Sequence, residues 1–227
     1  MNIYSNALLS LIFLATSEYA VAAKDDFLCT QNENASTETT ESTTGKMTVF
    51  GLELGKPFRI KECPKKAYKG YIENARYEYS SNEVCFERIM DYASCDAIVT
   101  GAATIKFPPS KSPDIIREYK IFAHIIDGNL ESIGFETMGL KFKSSILDTL
   151  VKKYGEPTKT EEKELQNLMG AKFNATDAYW IDNDLSVVYE SAFNTIDKGF
   201  VRINTQKSMQ WKAEKKSTQA DSNKIQL

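Results

Sequence analysis

The apolar residues of this chain alternate with polar ones, as in β-strands, over much of its length. The clearest pair of strands is Glu118–Ile126 and Leu130–Thr137, joined by Asp127-Gly128, a dipeptide typical of a type I′ hairpin turn. On the return strand Ile133 and Phe135 fall on one side, which we expect to be buried. Further strand-like runs precede this hairpin at Met47–Leu54, Tyr71–Tyr79, Val84–Ile89 and Ala97–Phe107.

One segment has helical spacing instead. Ser145–Tyr154 places its apolar side chains in one stripe, with Ser144 as the predicted N-cap. Gly155 suits the position after the helix, and Pro157 prevents its continuation. Residues 158–169 fit either a second helix or an exposed edge strand. Three more strands are predicted beyond them, at Ala178–Ile181, Leu185–Ser191 and Phe200–Thr205.

The spacing of these elements predicts the fold class. Successive strands are separated by too few residues for parallel crossovers, which favours an antiparallel meander. We therefore expect an α+β fold in which one or two helices pack on one face of the sheet, and a degenerate repeat of αββ units is left open. The expected domain covers residues 47–205, and the polar residues 206–227 predict a frayed helix or a tail.

The first 46 residues differ from the rest in composition. Ala7–Ala15 is an apolar run of signal-peptide length, well short of the roughly 20 residues of a membrane span. Small residues predict cleavage after Ala22 or Ala23, so residues 1–23 are interpreted as a signal peptide. Residues 24–46 are rich in Thr, Ser and Glu and predict a disordered linker. The expected location is the periplasm or the medium, and no later segment is apolar enough to span a bilayer.

Four cysteines follow the signal peptide, and in an oxidising compartment an even number predicts disulfides. We predict a bond between Cys63 and Cys85 and leave Cys29 and Cys95 unassigned. The spacings resemble no zinc-binding pair, and the chain has a single histidine, so neither a metal nor another cofactor is expected.

The charge balance bears on partners. The chain has 28 basic and 31 acidic residues, a net charge of -3, whereas a general nucleic-acid surface requires a basic excess. A nucleic-acid partner is therefore not expected.

Motifs of catalysis are weak in this sequence. A hydrolytic triad would need His124, which lies in a run that is apolar on both sides and predicts a packed histidine. Gly51–Pro57 is one residue shorter than a phosphate loop and has proline in place of the magnesium-binding hydroxyl. Asp182-Asn183-Asp184 lacks the glycine and glutamate of a calcium loop and is interpreted as a hairpin turn.

Two groups of residues are candidates for a functional site, one acidic and one of tyrosines. A glycosidase needs two carboxylates, and six acidic residues could supply them: Glu73, Glu78, Glu118, Asp127, Glu131 and Glu136. In the sequence, acids of this kind have the same pattern as acids on the exposed face of a strand. Tyr71, Tyr77 and Tyr79 are a candidate binding surface, since tyrosine is common at interfaces and on sugar-stacking platforms. The alternative is that these tyrosines cover the edge of the core.

Two stretches carry a resemblance. Phe50–Pro64 resembles the opening of a group of exported bacterial proteins of uncharacterised function, and Asp127–Thr158 resembles part of their second half; the likeness extends over about residues 50–205. The helix that ends in Tyr154-Gly155-Glu156-Pro157 is also similar to the αββ units of β-lactamase-inhibitor-like and outer-membrane-assembly domains. These domains are binding modules, so the resemblance implies binding rather than catalysis.

The resulting hypothesis is a non-enzymatic binding or inhibitory module for another envelope protein. Two alternatives remain at this point: a hydrolase that acts on envelope glycans or peptides through paired carboxylates, and a carbohydrate-binding module that uses the tyrosines.

Overall fold

The computed structural model describes residues 44–68, 71–77, 82–91, 100–166 and 169–224. Its helices are α1 (Thr44–Met47), α2 (Lys143–Tyr154) and α3 (Gln206–Lys224). Four strands lie in two small two-stranded sheets: β1 (Thr48–Val49), β2 (Leu52–Glu53), β3 (Lys65–Tyr68) and β4 (Tyr71–Tyr77). Eight strands form one large sheet: β5 (Cys85–Asp91), β6 (Gly101–Lys106), β7 (Lys120–Ile126), β8 (Asn129–Met138), β9 (Lys159–Gln166), β10 (Lys172–Ile181), β11 (Leu185–Glu190) and β12 (Lys198–Thr205).

The large sheet consists of two consecutive antiparallel meanders, in the order β5-β6-β7-β8-β12-β11-β10-β9. The meanders meet where β8 pairs with β12, with Ile133 opposite Ile203 and Phe135 opposite Val201. The α+β class with an antiparallel meander sheet is therefore confirmed. The αββ repeat is wrong for the described chain, because four strands separate α2 from α3.

The core lies on one face of this sheet and is covered by α2. The predicted apolar stripe of the helix is confirmed, since Ile146, Leu150 and Tyr154 are buried against the sheet. Ile133 and Phe135 are buried on this face, as expected. Full burial of such a side chain stabilises the fold by about 1.5–3 kcal/mol.

The C-terminus of α2 agrees with the prediction from the sequence, whereas its N-terminus does not. At the C-terminus Gly155 has φ +84°, and its N–H donates to the carbonyl of Val151 at 2.8 Å. The predicted N-cap at Ser144 is wrong, because the helix begins at Lys143 and no side chain caps it. A 3₁₀ turn at Leu140–Phe142 leads directly into the helix, so Ser144 already lies within its first turn.

The hydrophobic pattern of the sequence did not determine the secondary structure of one segment. Residues 159–166 form edge strand β9, which pairs with β10 and carries alternating charges. Charged side chains on an edge strand discourage pairing with other chains.

Met47–Leu54, expected as one strand, folds back as the hairpin β1–β2, because Phe50 (φ 53°) and Gly51 (φ 79°) form a left-handed turn. This fold-back places the Phe50 ring 5.1 Å from that of Phe135.

The two long helices pack on opposite faces of the sheet. Ala123 and Ile133 point to the core under α2, so His124 and Ser132, which follow an alternating strand, point to the other face, here called the second face. Trp211 of α3 contacts His124 there, with ring centroids 4.6 Å apart. The expectation that all helices share one face is therefore wrong, because both faces of the central strands are covered.

The predicted disulfide between Cys63 and Cys85 is confirmed. It fastens the segment before β3 to strand β5, where the Cys63 N–H also donates to the carbonyl of Phe86 at 2.8 Å. Cys29, Cys95, the predicted signal peptide and residues 24–43 lie outside the described residues. The bond is consistent with an oxidising compartment.

We expect the Cys63→Ser, Cys85→Ser double variant to lose about 3 kcal/mol of unfolding free energy, because the bond closes a loop of 22 positions in the unfolded chain. Urea unfolding of the oxidised wild type, the reduced wild type and the variant measures this. Reduction should change the wild type much more than the variant. Equal stability of all three samples would contradict the prediction.

Candidate functional site

A depression lined by apolar side chains lies where β8 ends and the chain turns towards α2. Its volume is about 490 Å³, within the range of sites that bind small molecules or partner side chains. We call it the apolar groove and define it by five residues, Met138, Leu140, Phe142, Phe173 and Ile196. Arg117, Lys141 and Asp197 form its rim.

The groove concentrates exposed apolar surface. Met138, Phe142 and Ile196 are 43%, 44% and 41% exposed. They are three of the eight large hydrophobic side chains that are exposed among the described residues. Single exposed hydrophobic residues are ordinary on protein surfaces, but a cluster around a depression indicates an interaction site.

Backbone contacts fix the floor of the groove. The N–H of Gly139 donates to the carbonyl of Asp197 at 3.0 Å, and the N–H of Leu140 donates to that of Ile196 at 2.9 Å. A Cβ at position 139 would lie 2.2 Å from the Ile196 carbonyl oxygen, so the close approach requires glycine. Met138 and Ile196 are therefore held side by side by main-chain geometry rather than by flexible side chains.

The rim is electrostatically organised. Arg117 reaches Asp197 at 3.4 Å and Glu136 at 3.8 Å, and Lys198 reaches the same Glu136 oxygen at 3.4 Å. Hydrogen bonds from the Thr195 side chain and from its own backbone lower the pKa of Asp197, with Arg117 and Lys198 contributing. The ammonium of Lys141 lies 5.6 Å from the centre of the Phe142 ring. These contacts leave the apolar floor open and surround it with charge.

The second face carries another organised region, beneath the first turns of α3. Ser132 Oγ donates to Asn204 Oδ1 at 2.9 Å, and Lys212 Nζ donates to the same oxygen. His124 packs on Trp211, and its buried Nδ1 has no hydrogen-bond partner among the described atoms. Burial lowers the pKa of His124, and Lys212 lowers it further. His124 is thus a packed histidine, and this polar layer holds α3 on the sheet.

The N-terminus of α3 binds a buried carboxylate. Thr205 Oγ1 donates to Glu131, which is 3% exposed, and accepts the Ser208 N–H at 3.2 Å. Thr205 therefore caps the helix, while Glu131 lies close to the positive end of its dipole. This arrangement explains Glu131 as a structural residue.

The other acids of the proposed hydrolytic set have separate partners. Glu118 pairs with Lys120 at 2.6 Å, Asp127 with Lys207 at 2.8 Å, and Glu136 with Lys198 at 3.4 Å. A glycosidase requires two carboxylates that face one bond. Glu118 and Glu136 have Arg117 and Lys198 as common charged neighbours, and the hydrolytic alternative stays a prediction.

The predicted tyrosine surface falls largely outside the described part of the chain. Tyr71 and Tyr77 are the first and last residues of β4, which pairs with β3, but their side chains are not described. Tyr79 and Glu78 lie outside the described residues, as does the side chain of Glu73. The candidate binding surface at Tyr71, Tyr77 and Tyr79 therefore stays a prediction.

The two motif-like segments are structural. Gly51–Pro57 contains strand β2 and two glycines with positive φ, Gly51 and Gly55. Asp182–Asp184 forms the turn between β10 and β11, where the Asp182 N–H donates to the carbonyl of Leu185 at 2.9 Å. The interpretation of this triplet as a hairpin turn is confirmed.

Comparisons with protein-family models, curated proteins and solved structures gave no match. In the described part of the chain no helix combines the length and hydropathy needed to cross a membrane. Nor does that part bring three His, Cys, Asp or Glu side chains close enough together to hold a metal ion. Evidence on function therefore comes from the geometry of this chain alone.

Sequence reasoning missed the groove residues. Met138, Phe142 and Ile196 are isolated apolar residues at the ends of elements, where the periodicity of strands and helices gives no signal. The dipeptide Met138-Gly139 was an available clue, since a glycine at a strand end often marks a close backbone approach.

We expect Gly139→Ala to lower the free energy of unfolding by about 1–3 kcal/mol, because the new methyl group would overlap the backbone of residues 196–198. Gly45→Ala is the matched control, since a Cβ at Gly45 meets nothing within 4 Å. Denaturant unfolding of both variants makes the comparison. Equal stability of the two variants would show that the 195–198 loop is free to move away from Gly139.

We also expect the free energy of unfolding to decrease as the pH is lowered from 7.5 through 6.5. The folded state lowers the pKa of His124 below its usual 6.5, so the unfolded chain binds this proton more readily. This is the chain's single histidine, and carboxylates titrate at lower pH. Urea unfolding between pH 5 and 7.5 tests the slope, which His124→Gln should reduce. A wild-type curve that is flat in this window would contradict the prediction.

Proposed function

We propose that this protein is an exported, non-enzymatic module that binds another envelope protein through the apolar groove. The observation that carries the proposal is the gathering of Met138, Phe142 and Ile196, each more than 40% exposed, around one depression with a fixed backbone floor. Export is supported by the apolar N-terminal run and by the Cys63–Cys85 bond.

The chemistry of the groove favours a protein ligand. Its floor consists of methionine, leucine, isoleucine and phenylalanine side chains, which provide apolar contact without a set of converging polar groups. Methionine and aromatic residues are enriched at the centres of protein interfaces, where they pack against an apolar side chain of the partner. A rim of charged residues around such a centre excludes water and sets the orientation of the partner.

Rigidity supports the same conclusion. The floor is tied by main-chain hydrogen bonds between residues 139–140 and 196–197, so little conformational entropy would be lost on binding. We infer that a partner inserts one apolar side chain, or a short apolar segment, between Phe142 and Ile196. The expected readout is a stoichiometric complex without turnover.

The proposal predicts that Ile196→Glu weakens capture of the partner at least about tenfold, because a carboxylate in an apolar contact must be desolvated. Ile181→Glu is the matched control, since Ile181 is also exposed (62%) but lies at the other end of β10 from Phe173. Crosslinking in intact cells, purification of the tagged chain and quantitative mass spectrometry measure the capture.

One envelope protein in near-equal amount, retained by Ile181→Glu and lost with Ile196→Glu, would support the groove. Equal loss in both variants would exclude it as the binding site. Recovery of a free monomer with no enriched partner would count against protein binding and would direct attention to glycan and peptide turnover.

A further inference from the structure

The second face of the sheet contains a group of cations that is separate from the groove and that the proposed function does not use. Arg202 and Asn204 are two residues apart on β12 and therefore lie on the same face, where Lys212 Nζ of α3 donates to Asn204 Oδ1. Ser132 donates to the same oxygen and is paired with His124 in the sheet. We call Arg202, Lys212 and His124 the cation cluster. Trp211 packs directly on its histidine.

Arg202 lacks a carboxylate partner within ion-pair distance among the described residues. The residues directly opposite it, Gly134 on β8 and Val188 on β11, are uncharged, while Glu136 and Glu190 lie opposite Phe200 on the same face, one pair further along. The guanidinium lies over the Phe200 ring, 5.2 Å from its centre. Phe200 in turn stacks on Phe122, which is 36% exposed. The donors of Arg202 are therefore held on an aromatic support and are not used within an ion pair.

Lys212 is held in place by a hydrogen bond to Asn204. Burial lowers the pKa of Lys212, and the nearby Arg202 lowers it further, while no carboxylate offsets these effects. Arg202 is half-buried and Lys212 is exposed, and two neighbouring cations repel each other unless an anion compensates them. The folded chain keeps both cations in this position.

His124 adds a third group to the cluster. Its Nδ1 is buried and has no hydrogen-bond partner among the described atoms. The ring gains a positive charge when it is protonated, and Lys212 is the charged group that acts on it from α3. Ser132 and Ala102, its register neighbours on β8 and β6, are uncharged. An anion beside Trp211 would therefore meet Arg202, Lys212 and the titrating His124, and also Lys215, whose ammonium lies 5.4 Å from the centre of the Trp211 ring.

We propose that the cation cluster is a binding site for an oxyanion of the phosphate type, held by Arg202 and Lys212 beside the Trp211 ring. A guanidinium presents parallel donors that match two oxygens of such a group, and an ammonium supplies a further donor. The Phe200 ring supports Arg202, and the Trp211 ring packs on His124, so aromatic side chains adjoin the cations. The same oxyanion chemistry occurs in free phosphate and in phospholipid headgroups.

Trp211 provides a probe of this site, because the chain has two tryptophans and Trp180 is only 6% exposed. The ratio of quenching by iodide, an anion, to quenching by caesium, a cation, should exceed the ratio measured for free N-acetyltryptophanamide. Inorganic phosphate, titrated at constant ionic strength with chloride as the reference, should protect Trp211 from iodide in a saturable manner. Vesicles of phosphatidylglycerol, compared with phosphatidylcholine, test the lipid source with the same readout.

Arg202→Gln and Lys212→Gln should weaken the protection by phosphate at least about tenfold, the effect of losing a hydrogen bond to a charged group. Lys212→Arg should retain it. Lys216→Gln, which removes an exposed lysine from the same helix, is the matched control and should behave as wild type. Circular dichroism and the emission maximum of Trp180 check that each variant is folded.

Three outcomes would overturn the site. Protection that does not saturate, or that is equally weak in wild type and in Arg202→Gln, would mean an adventitious ion only. An iodide-to-caesium quenching ratio no higher than that of N-acetyltryptophanamide would show that no positive field surrounds Trp211. Loss of protection in Lys216→Gln to the same extent as in Lys212→Gln would assign the effect to the general charge of α3. Saturation with phosphatidylglycerol vesicles but not with phosphate would replace the free anion with a lipid headgroup.

Discussion

The pairing of β8 with β12 is the constraint on which the rest of this structure depends. It joins two four-stranded meanders into one sheet and brings together residues about 70 positions apart, such as Ser132 and Asn204. Ile133 opposite Ile203 and Phe135 opposite Val201 place four apolar side chains at the centre of the core. Without this pairing each meander would leave an apolar edge strand open to other chains.

The same junction creates both candidate sites. At one end of the β8–β12 pair, the segment after β8 and the segment before β12 run side by side. Hydrogen bonds of Gly139 and Leu140 to the backbone of residues 196–197 fix the floor of the apolar groove there. Further along β12, Asn204 receives hydrogen bonds from Ser132 and Lys212 and holds α3 on the second face. Groove and cation cluster therefore share one structural support but present different chemistry, apolar in the first and cationic in the second.

Local patterns in the sequence were sufficient for several elements. The hairpin at Asp127-Gly128, helix α2 with its end at Gly155, and the turn at 182–184 depend on neighbouring residues and were predicted correctly. The charged run at 159–166 was ambiguous, because an exposed edge strand and an exposed helix select the same residues. This segment is a strand because it pairs with β10. Ser144 was assigned as a cap because the preceding 3₁₀ turn has no sequence signature.

The sequence by itself determined the α+β class and the antiparallel order of neighbouring strands, since these follow from alternation and short connections. The cysteine count indicated disulfides and allowed several pairings, and the structure decided for Cys63 with Cys85. Tertiary structure decided that β8 meets β12, that α2 and α3 cover opposite faces, and that Met138, Phe142 and Ile196 come together. The physical reason is sequence separation. Contacts between residues about 55 to 90 positions apart leave no periodic signal in either segment, so the groove and the cation cluster exist only once the two meanders are joined.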